Sequence, residues 1–341
     1  MSLKKYRLPI ILGILVIGVG YFVLRSPLAR VEDGIYVTRG LDVGSGLLWS
    51  PDGNYLAGSE TIYPWPDCPI ILTCFLAPEP YSELFLIDTT SWERKSLVKT
   101  EFYDRIIYAT SWHPDGKHIA YHSEGNKTGD WGEIRLIDIK GQDDIAYLDG
   151  SRNLIWNPSG TLLASLETEG VSGDWYPAIY IIDVLTNQKK QIFKADKSNS
   201  GVFNLSWSSN GKTLAFSFGK LTMENPAKFN IFLYNTESKE ITQLTDDQFE
   251  YEGAFFSPTD NLIALQRFNK NAVDFEHRYT TAIRDLSSNC EVELPLVLTL
   301  SSSWSPDGKK LIITGVGKAY LVDLVEFIGP EFNETGSICS K

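Results

Sequence analysis

The 341 residues carry a formal net charge of −12, with 31 Lys and Arg against 43 Asp and Glu, which argues against a nucleic-acid partner because neutralising phosphates takes clustered basic groups. With 43% hydrophobic and 22% charged residues, the chain has enough apolar side chains to build a core, which excludes a largely disordered protein.

Lys4, Lys5 and Arg7 precede an apolar run from Leu8 to Leu24 that stops at Arg25. A membrane-spanning helix over residues 6–24 is expected, because at about 1.5 Å per residue it covers about 28 Å, near the thickness of bilayer hydrocarbon. A secretory signal has a shorter apolar core and a small-x-small cleavage site; the best site here ends at Ala29 with Pro27 inside it, so an uncleaved anchor is expected. Arg25 and Arg30 follow the run, the latter offset by Glu32 and Asp33, and this balance predicts a cytoplasmic N-terminus with the remainder of the chain periplasmic or extracellular.

Beyond the anchor the sequence repeats. Trp49-Ser-Pro51-Asp52-Gly53, Trp112-His-Pro114-Asp115-Gly116, Trp156-Asn-Pro-Ser-Gly160, Trp207-Ser-Ser-Asn-Gly211, Phe256-Ser-Pro-Thr-Asp260 and Trp304-Ser-Pro306-Asp307-Gly308 are six versions of one aromatic-plus-turn motif. Their aromatics are 63, 44, 51, 49 and 48 residues apart, the period of propeller blades with one long insertion in the first unit. Pro fixes φ at the second turn position, Asp or Ser suits the third, and Gly accepts the positive φ that returns the chain. Apolar stretches such as Thr161–Ala164 and Lys310–Ile313 follow each turn and read as second strands. A third strand then ends in Asp or Asn in every unit: Asp88, Asp138, Asp183, Asn235, Asp285 and Asp323, residues that bond their own following backbone to begin a turn. The fold expected is all-β, a six-bladed propeller of four-stranded blades. The spare strand Gly34–Thr38 is expected to complete the last blade and remove two open sheet edges.

The repeated Trp-Ser-Pro-Asp-Gly-Lys and the apolar strand ending in Asp resemble TolB-like, WD40-like propeller repeats over about residues 44–325, repeats that also occur in the propeller domains of prolyl-oligopeptidase-type enzymes. The resemblance implies the fold and little about function, since the motif residues are turn and core positions. Blade five departs most, with Phe256 and Asp260 in place of Trp and Gly. The organisation expected is thus a basic segment and anchor over 1–30 and a propeller ectodomain with a C-terminal tail over 31–341.

Four cysteines in an oxidising compartment point to disulfides. Cys68 and Cys74 share a Pro-rich insertion and form the economical local staple, which leaves Cys290 to pair with Cys339 and tie down the tail; four unpaired thiols are the alternative. The loops between second and third strands, Glu60–Glu83, Ser123–Glu133, Glu167–Ala178, Gly219–Asn230 and Arg267–Thr280, are expected on one propeller face. Trp65 with Asp67, Asp130 with Trp131, and Asp174 with Trp175 and Tyr176 place aromatic beside acidic groups there, a composition suited to a binding face; the alternative is that each ring packs onto its own blade. Asn126, Asn204 and Asn333 head glycosylation-type sequons.

No Gly-x-Ser-x-Gly nucleophile elbow, phosphate loop or calcium loop appears in the sequence. His113, His118, His122 and His277 read as turn and strand residues, so no catalytic set, metal site or cofactor is expected. The function expected is that of a membrane-anchored module binding a protein or peptide partner through one propeller face or the central mouth, with a purely structural stalk or spacer as a further alternative. The alternative is a hydrolase or lyase of glycans or small esters with its site in the central channel, built from scattered carboxylates and histidines.

Overall fold

The computed structural model describes residues 28–32, 35–38, 46–62, 81–101, 105–125, 132–142, 144–149, 153–171, 174–196, 200–220, 229–246, 249–259, 261–269, 272, 278–296, 299–315, 318–329, 332 and 338. After β1 (Leu28–Glu32) and β2 (Ile35–Thr38), the first blade is β3 (Leu48–Trp49), β4 (Tyr55–Ile62), β5 (Tyr81–Asp88) and β6 (Arg94–Glu101). The second is β7 (Arg105–Trp112), β8 (His118–Gly125), β9 (Glu133–Asp138) and β10 (Asp144–Asp149), and the third is β11 (Asn153–Trp156), β12 (Leu162–Val171), β13 (Asp174–Asp183) and β14 (Lys189–Lys194). The fourth contains β15 (Ser200–Trp207), β16 (Thr213–Lys220), β17 (Asn230–Asn235) and β18 (Ile241–Gln243); the fifth contains β19 (Glu250–Phe256), β20 (Leu262–Phe268), β21 (Tyr279–Asp285) and β22 (Glu291–Glu293). The sixth has β23 (Thr299–Trp304), β24 (Lys310–Gly315) and β25 (Lys318–Asp323), followed by the short helix α1 (Leu324–Ile328).

Each sheet is an antiparallel meander, and the sixth is closed by the N-terminus: its order is β1-β2-β25-β24-β23. Ile35 pairs with Val322, Tyr36 with Leu321 and Val37 with Tyr320, and the Tyr36 hydroxyl donates to Glu326 at 2.6 Å. The spare strand therefore completes the last blade, and β1 adds a fifth, outer strand that begins at Leu28, ahead of the boundary expected at residue 31. Residues 6–24 lie outside the described residues. Among the described residues no helix is long and apolar enough to cross a membrane.

The repeated turn has the geometry its composition dictates. In blade one the Gly53 N–H donates to the Ser50 carbonyl at 3.0 Å, and the Ser50 hydroxyl donates to Asp52 at 2.6 Å while accepting from the Tyr55 N–H at 2.9 Å. The glycines at this position take φ between 67° and 77° in the five blades that have one, a region that a Cβ makes costly. Blade five keeps its hairpin without glycine, with the Ser257 N–H on the Leu262 carbonyl at 2.9 Å. At the ends of the third strands, Asp88 accepts from the Thr90 and Ser91 N–H groups at 2.9 and 2.8 Å and Asp285 from Ser287 and Ser288 at 2.8 and 3.0 Å, while Asp323 caps α1 instead.

The core is a ring of six apolar interfaces, one between each pair of neighbouring blades. Leu84 and Leu86 pack with Ile107 and Ile119 of blade two, whereas Phe85 and Ile87 pack with Ile312 and Leu321 of blade six. Successive side chains of β5 point to opposite sheet faces, and both faces are covered, which is why the third strands are apolar without interruption. Three of the repeat tryptophans tie neighbouring blades together: the Trp112 indole N–H donates to the Leu48 carbonyl at 2.9 Å, Trp207 to Ile155 at 3.4 Å and Trp304 to Phe255 at 2.9 Å, each time onto the inner strand of the preceding blade. The indole nitrogens of Trp49 and Trp156 have no hydrogen-bond partner among the described residues.

Candidate functional site: the central channel and its rim

The six inner strands enclose a cavity of about 660 Å³ on the propeller axis. Its walls carry Tyr108, Thr110, Asn153, Asn204, Ser206 and Ser303, and it reaches the first-turn residues of every blade, Pro51, Pro114, Pro158, Ser209, Pro258 and Pro306. Among the described lining residues there is no carboxylate, imidazole, ammonium or guanidinium. The wall offers hydroxyls, carboxamides and aromatic faces, a surface suited to an uncharged, hydrogen-bonding ligand.

Most of the described ion pairs lie on the outer three strands, while Arg105, at the start of the inner strand β7 and outside the cavity lining, reaches Glu133 at 3.3 Å. Arg94 bridges Glu60 and Glu83 and lies over the Phe85 ring at 3.8 Å; Arg135 holds Asp144 at 2.9 Å and Glu133 at 2.7 Å; Lys189 and Lys194 reach Glu167 and Glu169, each at 2.6 Å. Burial, with Asp144 alongside, pushes the Tyr121 phenol up and keeps it protonated. On the inner strand β19, burial raises the Glu252 carboxyl above the ordinary carboxylate range.

Of the residues expected to form a binding face, Trp65, Asp67, Asp130 and Trp131 lie outside the described residues, as do Cys68, Cys74 and Cys339. Asp174 and Trp175 lie on β13, where the side chains are not described; Tyr176 is half-buried with the Lys194 ammonium 5.6 Å from its ring centre. The segment Glu167–Ala178, expected to be a loop, is mostly strand: β12 and β13 stay paired from Leu162↔Asp183 out to Val171↔Asp174. Its Thr, Val, Trp and Tyr favour a pleated conformation, and Glu167–Lys189 and Glu169–Lys194 ion pairs link the extension to β14. Second-third-strand connections sit at the opposite end of each second strand from the first turns, so the channel cavity reaches the other face of the propeller. Sequence reading missed the wall, because inner strands such as Leu48–Trp49 and Asn153–Trp156 are short and carry no clear alternation.

Asn204 takes φ of 47° in the wall and its carboxamide donates to the Glu252 carbonyl at 2.7 Å. A glycan on that nitrogen would compete with an interblade hydrogen bond inside the channel. Asn126 and Asn333 lie outside the described residues. Cys290 is disulfide-bonded and packs against the interface of blades five and six, the interface in which the tail residue Ile338 is fully buried.

At the rim, Pro114 is flanked by His113 and Asp115. His113, Asp115 and His118, separate turn and strand residues in the repeat pattern, place three ligand atoms within 4.8 Å of one another.

No family model matches the chain, and no curated protein matches it. Solved structures do. TolB from Acinetobacter baumannii aligns with a TM-score of 0.54 at 18% identity, over 92% of this chain and 69% of that one. A structure described as a putative TolB from Agrobacterium tumefaciens aligns with 0.51 at 16%, over 81% and 88%. Oligogalacturonate lyase from Vibrio parahaemolyticus aligns with 0.51 at 10%, over 87% and 96%. The chain is a TolB-like six-bladed β-propeller in fold; identities this low carry the architecture and leave the chemistry to the site itself.

Proposed function

We propose that this chain is a protein- or peptide-binding propeller of the cell envelope, tethered by residues 6–24 with the propeller outside the cytoplasm, and that its partner engages the channel mouth. The observation that carries this reading is the wall itself: a 660 Å³ axial cavity presenting hydroxyls, carboxamides and aromatic rings, with no ionic group among its described lining residues. A partner segment that enters through uncharged backbone and side-chain groups would meet polar side chains from the inner strands of blades two, three, four and six without burying an unpaired charge. Fold likeness to TolB structures supports a scaffold role, and the uncharged run before Arg25 supports the tether.

The test is capture from native membranes with the purified full-length chain, run beside a Tyr108→Arg variant whose new charge projects from the inner strand β7. A partner retained by the parent and lost by the variant supports the channel mouth as the site. Equal retention by both moves it elsewhere, and a Trp131→Ala, Trp175→Ala double variant then tests the opposite face. Capture of nothing by the parent counts against the reading as a whole.

The second reading, a lyase or hydrolase, has one starting point in Glu252 on the inner strand β19, which is outside the cavity lining and whose carboxyl burial raises above the ordinary range, the direction a proton-donating group needs. Turnover of a glycan or ester that disappears in Glu252→Gln would favour it over the binding reading.

A further inference from the structure

The first turns of blades one, two and six are nearly the same device, and blade two changes it at two positions. In blades one and six a serine occupies the position after the Trp, and its hydroxyl donates to the turn Asp at 2.6 Å while accepting from the first N–H of the second strand, at 2.9 Å for Ser50 and 2.8 Å for Ser305. In blade two that position is His113, and the first residue of the second strand is His118. The His113 Nδ1 lies 3.1 Å from Asp115 Oδ1 and accepts from the Asp115 N–H at 3.2 Å. The His118 Nδ1 lies 2.7 Å from Asp115 Oδ2. The two imidazole planes are nearly perpendicular, at 88°, with centres 6.1 Å apart, so both rings converge on one carboxylate from different directions.

We infer that His113, Asp115 and His118 form a binding site for a zinc-class divalent transition-metal ion at the rim of the channel. Two imidazole nitrogens and one carboxylate oxygen are the donors that borderline ions of this kind prefer over magnesium or calcium, which take all-oxygen sets. Donor atoms on one tetrahedral zinc ion at about 2.0–2.1 Å stand about 3.3 Å apart; here one ligand atom from each of the three side chains lies within 4.8 Å of the others, with His113 Nδ1 3.1 Å from Asp115 Oδ1 and His118 Nδ1 2.7 Å from Oδ2, so small side-chain adjustments bring the set onto one ion.

The carboxylate is held for the purpose. The Lys117 and His118 N–H groups donate to Asp115 Oδ1 at 2.8 and 3.2 Å, which leaves Oδ2 directed at His118. His113 is steadied by an edge-on contact with Trp156 of the next blade, centres 5.0 Å apart, so the metal would couple the blade-two turn to blade three. Binding replaces the proton that His118 Nδ1 shares with Asp115 and draws the His113 lone pair from the Asp115 N–H to the ion. The three side chains are 31%, 33% and 41% exposed, so a fourth position faces solvent beside Pro114, where water or a donor group of a partner entering the channel would complete the shell.

The test is a Co²⁺ titration of the purified full-length chain followed by visible absorption, with Zn²⁺ added last to displace the cobalt. The variants are His113→Ser and His118→Thr, which restore residues that other blades carry at the same turn positions and so preserve its folding, and His277→Ala as a histidine control. The expected result is one Co²⁺ per chain with ligand-field bands that Zn²⁺ abolishes, affinity lowered at least about tenfold in both turn variants and unchanged in the control. A thermal melt should rise with Zn²⁺ in the parent and stay level in the turn variants. Absence of cobalt bands in the parent, equal affinity in all four proteins, or loss in the His277→Ala control would each overturn the assignment.

Discussion

The Trp304 indole N–H donates to the Phe255 carbonyl at 2.9 Å, a bond that crosses from blade six to the inner strand of blade five, 49 residues earlier in the chain. In blades two, four and six it gives the tryptophan a role that a purely apolar ring lacks: the ring fills the interface and its polar tip bonds a carbonyl of the preceding blade's inner strand. Replacement by Phe keeps most of the packing and orphans that carbonyl. Trp304→Phe is expected to lower stability by about 1–3 kcal/mol in a urea titration, and an unchanged midpoint would remove the interblade role of the indole.

Closure of the ring predicts that a strand remote in sequence controls the stability of the whole propeller. Ile35 is fully buried against Leu311, Ile313 and Val322, and Ile35→Ala should cost about 2–5 kcal/mol by the loss of its methyl groups from that interface. Calorimetry should report one transition shifted down as a unit. A melting temperature equal to that of the parent would contradict closure through β2.

Two kinds of carboxyl give opposite pH dependences. Backbone N–H bonds from Ser91 and Thr90 hold Asp88 below the ordinary range, so its contribution is present above the unfolded value, about 3.9, and is lost as pH falls through the lower folded value. Burial raises Glu252, so its folded form favours the proton; that contribution is present below the unfolded value, about 4.3, and is lost as pH rises through the raised folded value. Glu252→Gln should therefore raise the melting temperature at pH 7 and change it little near pH 3.5, while Asp88→Asn should lower it at pH 7. The same shift from Glu252→Gln at both pH values would show that burial of the charge is not its cause.

The disulfide at Cys290 has three possible partners in the chain, Cys68, Cys74 and Cys339. Ile338 is buried in the interface that Cys290 packs against, which favours its neighbour Cys339. Peptide mapping under non-reducing conditions should recover a Cys290–Cys339 pair, and reduction should loosen the tail around Phe332 and Ile338 before the blades melt. Recovery of Cys290 joined to Cys68 or Cys74 would reverse the assignment.

What the sequence revealed and what it hid follow from where each signal is stored. The first hairpins and the Asp-terminated third strands were legible because their geometry is local: Gly53 and Gly308 need positive φ, and Asp88 and Asp285 bond N–H groups two and three residues on. The fourth strands were not, since Arg94–Glu101 and Lys189–Lys194 are solvent-facing edges whose polar side chains give no hydrophobic period. The extension of β12 and β13 past Glu167 was hidden by its charges, which the fold uses in cross-strand pairs with Lys189 and Lys194. Channel walls are assembled from six segments spread over some 250 residues, and no single stretch announces them. His113 and His118 were visible as individual departures from the repeat; the turn around Pro114 that brings them onto one carboxylate was itself predicted, so the spacing His-x-Asp-x-x-His within it was the available signal.

The central claim, that a partner enters the channel mouth, is tested most directly by placing a photo-crosslinking residue at position 108 on β7 of the full-length chain in its own membranes, beside the same residue at position 185 on an outer turn where Leu185 is 94% exposed. A discrete protein or peptide adduct is expected from position 108 and none of that mass from position 185. Adducts of equal yield from both positions, or none from position 108, would contradict it.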